Sequence, residues 1–445
     1  MIEYYCIDEI KGPLLIIRGN FNPKNGEIIR LKSRDGNRIT AQVLETAKDV
    51  IILQSFKKLH GIRKSDVSVE FTGDLFEFMV SKKLKGRILN GFGNPIDNGP
   101  VIPGIKKKIE ARIIRPSQRE VPRGLITTGI SSIDLLNTLI KGQKLPIFSG
   151  AGLSHLKLIG EILKNVSKQD SLTIFGGIGI SYDEYNFINS LLEKTGILSK
   201  GIFFLNKAID PVVERIILPR IALTCAEYFA FELNMDVIVI LYDITNYADG
   251  LREISSMRGE YPGRMGYPPY LYTDLASLFE RSGIVSGKKG SITQIPILTM
   301  PNDDITHPVP DLTGYITEGQ IILSRELEKQ GVFPPIDIIP SLSRLMYQGS
   351  KGLVREDFKF LGDLLYSSYS KYLNAKKLKL ISGIEALSKA DKKYLVFGDA
   401  FNDTFLNQKK RRTLIDSFDC AWEIIKLLPD FELVKIPTKF EKYIR

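Results

Sequence analysis

The residues of this 445-residue chain best placed to do chemistry form one glycine-containing loop, Ser149–Leu156, with the sequence SGAGLSHL. The loop follows an apolar run at Leu145–Phe148 and leads into a helical pattern. A phosphate-binding loop has this context and reads G-x-x-x-x-G-K-[ST]. Its glycines expose backbone N–H groups to phosphates, its lysine reaches the outer phosphates and its hydroxyl holds magnesium. The position therefore predicts a phosphate loop.

The side chains of that motif are missing. Ser149 and Ser154 replace its first and last glycines, His155 replaces the lysine and Leu156 replaces the hydroxyl. A histidine is mostly uncharged near neutral pH, and a leucine cannot ligate a cation. A helix N-terminus still attracts anions, so weak nucleotide binding and an ordinary strand-to-helix turn both remain open, whereas hydrolysis does not. We predict a degenerate phosphate loop built on Ser149, Gly150, Gly152, Ser154 and His155.

Two further positions bear on catalysis. Asp243 follows the apolar run Val237–Leu241, where a strand-end carboxylate could organise magnesium. Without the lysine and the hydroxyl, a strand-terminal cap is an equally good interpretation of Asp243. The segment Gly177–Ser181 also lies at a strand end, where a hydrolytic protein would carry a glutamate that polarises water, but the residue there is Ile180. Because Ile180 cannot accept a proton, we predict no catalytic residue of the chain's own.

The N-terminal part of the chain shows a β pattern. A hairpin turn is predicted at Asp35-Gly36, between two alternating runs. Several short strands at this spacing predict a small β-barrel over residues 1–72. The predicted strands are Leu14–Ile17, Ile28–Lys32, Ile39–Leu44, Val50–Leu53 and Val67–Phe71.

The rest of the chain changes pattern twice. Apolar runs alternate with helix-length segments, which predicts a parallel sheet in an α/β core at residues 73–348. An irregular loop with three glycines and three prolines, Gly259–Pro269, interrupts this core and is typical of a functional segment. Residues 349–445 show only helical periodicity and predict a helical domain. The apolar runs are Leu145–Phe148, Leu172–Phe175, Ile202–Leu205, Val237–Leu241 and Ile295–Thr299, and the helical faces are Phe358, Leu361, Leu365, Tyr369 and Tyr372, then Leu414, Phe418, Ala421, Ile425 and Leu428.

Composition excludes several classes of protein. The chain is 43% hydrophobic and 25% charged, and its apolar runs fall short of the ~18 residues of a membrane helix. Cys6, Cys225 and Cys420 are scattered without C-x-x-C spacing, which argues against a disulfide framework or a zinc site and favours a reducing cytosol. We therefore exclude secreted, membrane-spanning and fibrous proteins.

The chain is basic, with a net charge of +10. Such a balance is typical of proteins that bind nucleic acid, an anionic membrane surface or an acidic protein. The densest basic run, Lys409–Arg412, is either a solvated face or a surface that meets an acidic neighbour. No motif that interleaves aromatic and basic residues for single-strand stacking is present, so we predict no nucleic-acid partner.

Longer segments of the chain form a pattern that can be compared with known families: Thr128–Ile130, Leu145–Gly150, Tyr261–Gly263, Tyr270–Ala276, Glu280–Arg281, Gly290–Pro296, Thr299–Pro308, Pro310–Gln320, Pro340–Met346, Ala421–Ile424 and Leu427–Pro429. Over nearly the whole chain, these segments resemble the B subunit of the V-type and archaeal A-type rotary ATPases. The resemblance implies a non-catalytic, regulatory subunit that alternates with the catalytic A subunit in a ring of three each and couples ATP synthesis or hydrolysis to ion transport. It also implies an N-terminal β-barrel, a RecA-type α/β nucleotide-binding core with a mostly parallel sheet, and a C-terminal helical domain.

The resemblance implies a role for Arg344. In that family the motif matching Pro340–Arg344 ends in an arginine that reaches across to the neighbour's ATP, so Arg344 is implied to bind ATP as an arginine finger in trans. A guanidinium is permanently charged and forks onto phosphate oxygens. Fingers of this kind contribute about 10³–10⁵ in rate. From its own sequence context, Arg344 could also form a surface salt bridge or cap a helix.

The resemblance also implies ligands, partners and location. The partners are the catalytic A subunit, the central rotor stalk and the peripheral stalk, on the cytoplasmic side of a membrane that the chain meets only through the complex. ATP or ADP with magnesium is expected at the interface with the catalytic partner, with no tightly bound cofactor or metal in this chain. The family commonly has proline at Ser154 and asparagine at Leu156, so the chain's own loop is expected to be weak or empty. We expect Tyr261–Pro269 and Asp303–His307 to shape subunit interfaces.

The alternatives are ATPases with their own activity, namely a secretion-type ATPase and an RNA-translocating hexameric motor. Both need an intact Lys-[ST] pair in the phosphate loop. His155 and Leu156 do not supply it. The sequence therefore favours the non-catalytic subunit.

Overall fold

The computed structural model describes residues 4–34, 36–57, 59, 63–110 and 114–444. Its N-terminal part is an antiparallel sheet of six strands: β1 (Ile7–Lys11), β2 (Leu14–Arg18), β3 (Glu27–Ser33), β4 (Arg38–Ala47), β5 (Val50–Ser55) and β6 (Val67–Leu75). Their order in the sheet is β1-β2-β5-β4-β3-β6. Tyr4 exchanges backbone hydrogen bonds of 2.9 and 2.8 Å with Val69 of β6, which joins the two ends of the sheet into a barrel. Asp35, of the predicted hairpin turn, lies outside the described residues.

Alternation along the strands decides which side chains fill the barrel. Ile29 and Leu31 in β3 are buried, and so are Ile39, Ala41 and Val43 in β4. Successive side chains of a strand point to opposite faces, so the residues between them face outward.

The central part of the chain is built on a large, mostly parallel sheet. Its strands are β8 (Ile88–Asn90), β10 (Arg119–Glu120), β13 (Ile147–Gly150), β14 (Leu172–Ile180), β15 (Gly201–Lys207), β16 (Val237–Tyr242), β17 (Gly283–Val285), β18 (Ser291–Met300), β19 (Gly319–Leu323) and β20 (Ile336–Ser343). Eight of them follow the order β20-β19-β13-β18-β16-β14-β15-β8, while β17 pairs with β18 and β10. Only the pairings of β20, β17 and β10 are antiparallel. Smaller pairs are β7 (Glu77–Val80) with β9 (Ile105–Lys108), and β11 (Leu125–Ile126) with β12 (Leu139–Ile140).

Helices cover both faces of this sheet. They are α1 (Ser131–Asp134), α2 (His155–Val166), α3 (Tyr182–Thr195), α4 (Val212–Glu227), α5 (Ile244–Arg258), α6 (Leu271–Phe279), α7 (Pro308–Ile316) and α8 (Arg325–Lys329). Every residue of β14 and β16 is buried, as expected of parallel strands with helices on both sides. This burial explains why these strands appear in the sequence as continuous apolar runs.

The C-terminal part is helical. It contains α9 (Met346–Gly349), α10 (Phe358–Ser382), α11 (Lys389–Ala400), α12 (Leu414–Ile425) and α13 (Asp430–Leu433). The predicted apolar face of α10 is buried throughout. In α12 the predicted face is only partly correct, because Leu414 is half-buried and Leu428 lies beyond the helix. Leu428 precedes Pro429, and a residue before proline disfavours helical backbone.

Candidate functional site

The residues predicted to surround a phosphate loop lie together at the carboxyl edge of the parallel strands, which we name the loop edge. Ser149 of β13 pairs with Thr299 of β18, and Tyr242 at the end of β16 pairs with Gly177 of β14. Because parallel strands end at one edge, the loop, Asp243 and the segment after β18 lie together. Ligands of open α/β sheets bind at this edge.

Buried hydrogen bonds engage the polar side chains of the loop. The Ser149 hydroxyl lies 3.1 Å from Nδ1 of His155, and Nε2 of His155 lies 2.8 Å from the Tyr242 hydroxyl. Tyr242 donates in turn to Glu184 of α3. Burial lowers the pKa of His155, so its imidazole is neutral near pH 7. His155 therefore ties the loop to β16 and α3 and presents no positive charge.

Asp243 caps a helix. Its Oδ1 accepts the N–H of Thr245 at 2.7 Å and the N–H of Thr299 at 3.1 Å, and the residue is only 4% exposed. Burial raises the pKa of this carboxyl to about 6. Ile180, at the end of β14, is fully buried and offers no polar side-chain atom. The carboxylate is thus used to join the start of α5 to the end of β18.

Charged residues of the chain itself lie against the loop backbone. The Glu328 carboxylate, from α8, accepts the N–H of Ser154 at 3.0 Å. That N–H belongs to the helix N-terminus, where a phosphate oxygen would bind. Arg325 donates to a loop carbonyl at 2.8 Å and pairs with Asp303 through two contacts of 2.6 and 2.9 Å. A Cβ at Gly150 would lie 1.8 Å from Oδ1 of Asp303, so this carboxylate packs directly on the loop.

Arg344 lies at the opposite edge of the sheet. β20 runs antiparallel to β19, beginning at the loop edge and ending with Ser343 beside Gly319. Its eight residues span about 26 Å, which separates Arg344 from the chain's own loop. The Arg344 residue is exposed, its guanidinium donates to the Thr317 carbonyl at 3.2 Å, and it forms no ion pair with any carboxylate in the described part of the chain.

The irregular loop Gly259–Pro269 exposes one aromatic side chain and buries another, Tyr267. Tyr261 is 93% exposed. Arg264 pairs with Asp311 at 2.8 Å and donates to the carbonyl of Thr306 at 2.5 Å. The loop is therefore fixed to Thr306, within the second segment predicted to shape an interface (Asp303–His307), and to Asp311 of α7.

The basic run Lys409–Arg412 divides into two parts. Arg412 is used internally, donating to the Phe405 carbonyl at 3.1 Å and the Ser131 hydroxyl at 3.3 Å. The other three residues line a cavity of about 240 Å³ together with Lys157. These three residues are exposed, whereas Arg412 is half-buried.

Two kinds of feature do not occur among the residues that the structure describes. No three or more His, Cys, Asp or Glu side chains are grouped so that they could hold a metal ion. No helix in those ranges has both the length and the apolar character needed to cross a membrane.

Comparisons with known proteins identify the family. Residues 7–73 match the beta-barrel domain and residues 129–343 the nucleotide-binding domain of the ATP synthase alpha/beta family, and residues 348–444 match the C-terminal domain of V and A type ATP synthase. The B subunit of the A-type ATP synthase of Aeropyrum pernix is 48% identical over 450 residues, which cover 99% of this chain and 97% of that protein. The chain belongs to the V/A-type ATP synthase alpha/beta family. The solved structure of the ATP synthase subunit NeqB from Nanoarcheaum equitans agrees, with a TM-score of 0.76 and 40% identity over 94% of this chain and 100% of that one.

Membership of the V/A-type ATP synthase family confirms the resemblance and the fold class. The barrel, the nucleotide-binding domain with its mostly parallel sheet and the helical C-terminal domain follow in the predicted order. The domain boundaries at residues 1–72, 73–348 and 349–445 stay predictions.

Sequence reasoning missed three charged residues at the loop edge. Glu184 had a detectable signal, because Ser181 and Glu184 form a capping box at the start of α3. Arg325 and Glu328 had none. Both lie in the five-residue helix α8 and contact the loop across 174 positions of sequence, so only the folded sheet brings them there.

Proposed function

We propose that the chain is the non-catalytic, regulatory B subunit of a V/A-type rotary ATP synthase. The similarity to the corresponding protein of Aeropyrum pernix supports this assignment. The assignment as non-catalytic rests on one observation at the loop edge. There, neutral His155 stands in place of the lysine, and the Glu328 carboxylate already accepts the Ser154 N–H.

A magnesium-bound polyphosphate does not fit this loop. The carboxylates of Asp303 and Glu328 lie against the loop backbone and repel phosphate, and Leu156 has no oxygen for a cation. The chain's own loop therefore holds nucleotide weakly or stays empty. No step of hydrolysis is assigned to it.

Arg344 acts on the ATP site of the neighbouring catalytic subunit. Three features support this role: Arg344 is exposed, has no carboxylate partner within the described ranges, and lies a whole strand away from its own loop. A guanidinium can donate to two phosphate oxygens at once and stabilise the charge that develops on them. ATP with magnesium is expected in the catalytic subunit, where that subunit meets this chain.

The ring contains three copies of this chain alternating with three copies of the catalytic subunit around a central rotor stalk. It is held by a peripheral stalk on the cytoplasmic side of the membrane and couples ATP synthesis or hydrolysis to ion transport. The exposed loop around Tyr261, fixed by Arg264, supports an interface at the loop edge. No nucleic acid takes part.

The experiment that tests this function compares ATP hydrolysis by the chain alone, by the isolated catalytic subunit, and by their equimolar mixture, with the mass of each species measured. We expect no turnover by the chain alone, and an active ring of three plus three in the mixture. Sustained turnover by the chain alone would instead favour the alternative, a secretion-type or RNA-translocating ATPase with its own active site.

A further inference from the structure

An ion-pair network built on a buried ammonium adjoins Arg344 and reaches its backbone. The Lys144 side chain is only 5% exposed, and its ammonium lies 2.9 Å from the Glu318 carboxylate and 2.8 Å from that of Glu280. Glu280 pairs with Arg119 at 2.7 Å. The N–H of Arg344 donates to the Glu318 carbonyl at 3.0 Å. Glu318 is thus both a member of the charge network and the backbone partner of Arg344.

Further hydrogen bonds fix both sides of this contact. The N–H of Lys144 donates to the Glu318 carboxylate at 2.8 Å. The side-chain amide of Gln143 donates to the Glu318 carbonyl at 3.2 Å and to the Ser343 hydroxyl at 3.0 Å. The residues that flank and pair with Arg344 are therefore held by one segment, Gln143–Lys144.

Stability alone does not explain a charged network at this place. Desolvation of the buried Lys144 ammonium, and in part of its half-buried carboxylate partners, opposes folding, and apolar side chains often replace buried ion pairs at no loss. The close approach of β19 to β20 is already set by the backbone, because a Cβ at Gly319 would lie 2.0 Å from the Leu342 carbonyl oxygen. The network instead holds the turn that carries the Glu318 carbonyl in a single position.

We propose that Glu318, held by Lys144, is a positioning residue that directs Arg344 toward the neighbouring nucleotide. The proposal rests on the proposed role of Arg344. Glu318 acts through the turn Thr317–Gly319, whose first carbonyl also accepts Nη1 of Arg344 at 3.2 Å. A displacement of about 1 Å in a group of this kind can cost about 10²-fold in rate.

The test is Glu318→Gln in the ring reconstituted with its catalytic subunit. This variant leaves Lys144 paired with Glu280, so no buried charge loses every partner. We expect kcat to fall about 10-fold or more while KM for ATP changes by less than about threefold. In an Arg344→Ala background the same substitution is expected to cause no further loss, because no guanidinium is left to direct.

Asp97→Asn is the matched control. It breaks the Arg87–Asp97 pair, 2.6 Å long with both side chains 16% exposed, beside β8 at the other end of the sheet. It is expected to lower stability and leave turnover unchanged.

The positioning role would be overturned by any of three results. They are an equal loss of turnover in this control, additive losses for Glu318→Gln and Arg344→Ala, and unchanged turnover in Glu318→Gln alone. Unchanged turnover in Arg344→Ala would instead reject the finger itself.

Discussion

Residues at the loop edge hold the fold together where a working phosphate site would bind an anion. His155 links Ser149 to Tyr242, and Asp243 caps α5. Gly152 keeps a left-handed backbone with a φ of +78° and open space where a Cβ would lie. The elements β13 and α2 fix the backbone shape of the loop, whereas the positive charge of a working phosphate loop depends on a single lysine, for which His155 stands here.

Glu214 provides a prediction about pH. Its buried carboxyl accepts the Gly91 N–H at 2.8 Å, and burial, with Asp210 nearby, raises its pKa from 4.5 to about 7. Because the folded chain holds this proton more tightly than the unfolded chain, the stabilising contribution is complete below the ordinary pKa and is lost as the pH rises through about 7. Glu214→Gln stays neutral, so at about pH 8 it is expected to raise the free energy of unfolding by roughly 1–3 kcal/mol over wild type.

Urea unfolding of both proteins between about pH 5 and pH 8 measures this difference. The gain should shrink as the pH falls. A difference that does not change with pH would mean that Glu214 ionises at its ordinary pKa in the folded chain.

Among the secondary-structure elements of the core, the strands buried on both faces could be predicted from the sequence. The five predicted core strands correspond to β13, β14, β15, β16 and β18, because covered parallel strands are continuous apolar runs. β20, with the sequence IDIIPSLS, mixes buried, half-buried and exposed positions and contains Pro340, so it carries no such run. The position of the loop was likewise predictable. The residues of α8 that lie against it were not, because their contact depends on the order of strands in the sheet.

The close approach of β19 to β20 at Gly319 predicts the effect of a substitution on stability. Its φ is +140°, and an added Cβ would meet the Leu342 carbonyl oxygen, a backbone atom that cannot rotate away. Gly319→Ala is expected to lower the free energy of unfolding by roughly 2–4 kcal/mol. Gly331→Ala is the control, since Gly331 also has a positive φ, +77°, but nothing lies within 4 Å of the added Cβ. Its expected cost is about 1 kcal/mol. Equal losses in urea unfolding would contradict the close approach.

For the molecule as a whole, the two edges of the central sheet differ in whether their charged side chains are paired within the chain. The loop edge is occupied by the chain's own Asp303, Arg325 and Glu328. The far edge presents Arg344 to the outside. Under the proposed function, a chain arranged in this way contributes to catalysis as one half of a site that it shares with a catalytic partner.

The basic surface at Lys409 and Lys410 provides a prediction about assembly. Reversing both charges to glutamate is expected to reduce the fraction of chain in the ring and to weaken the dependence of assembly on salt, because the attraction to an acidic neighbour is lost. The control is Lys194→Glu with Lys200→Glu, which changes the net charge equally at exposed positions elsewhere. The fraction of chain in the ring is determined by measuring the mass of the assembled species at low and at high salt. Assembly that matches wild type at both salt concentrations would contradict the role of this surface.

Under the proposed function, Arg344 completes the ATP site of the neighbouring catalytic subunit. The most direct measurement is turnover at saturating ATP by a ring that contains Arg344→Ala, with the ring's mass confirmed to equal that of wild type. We predict a loss of about 10³-fold or more, with little recovery in Arg344→Lys because an ammonium cannot fork onto two oxygens. Turnover within about threefold of wild type in a fully assembled ring would mean that Arg344 takes no part in the neighbouring ATP site.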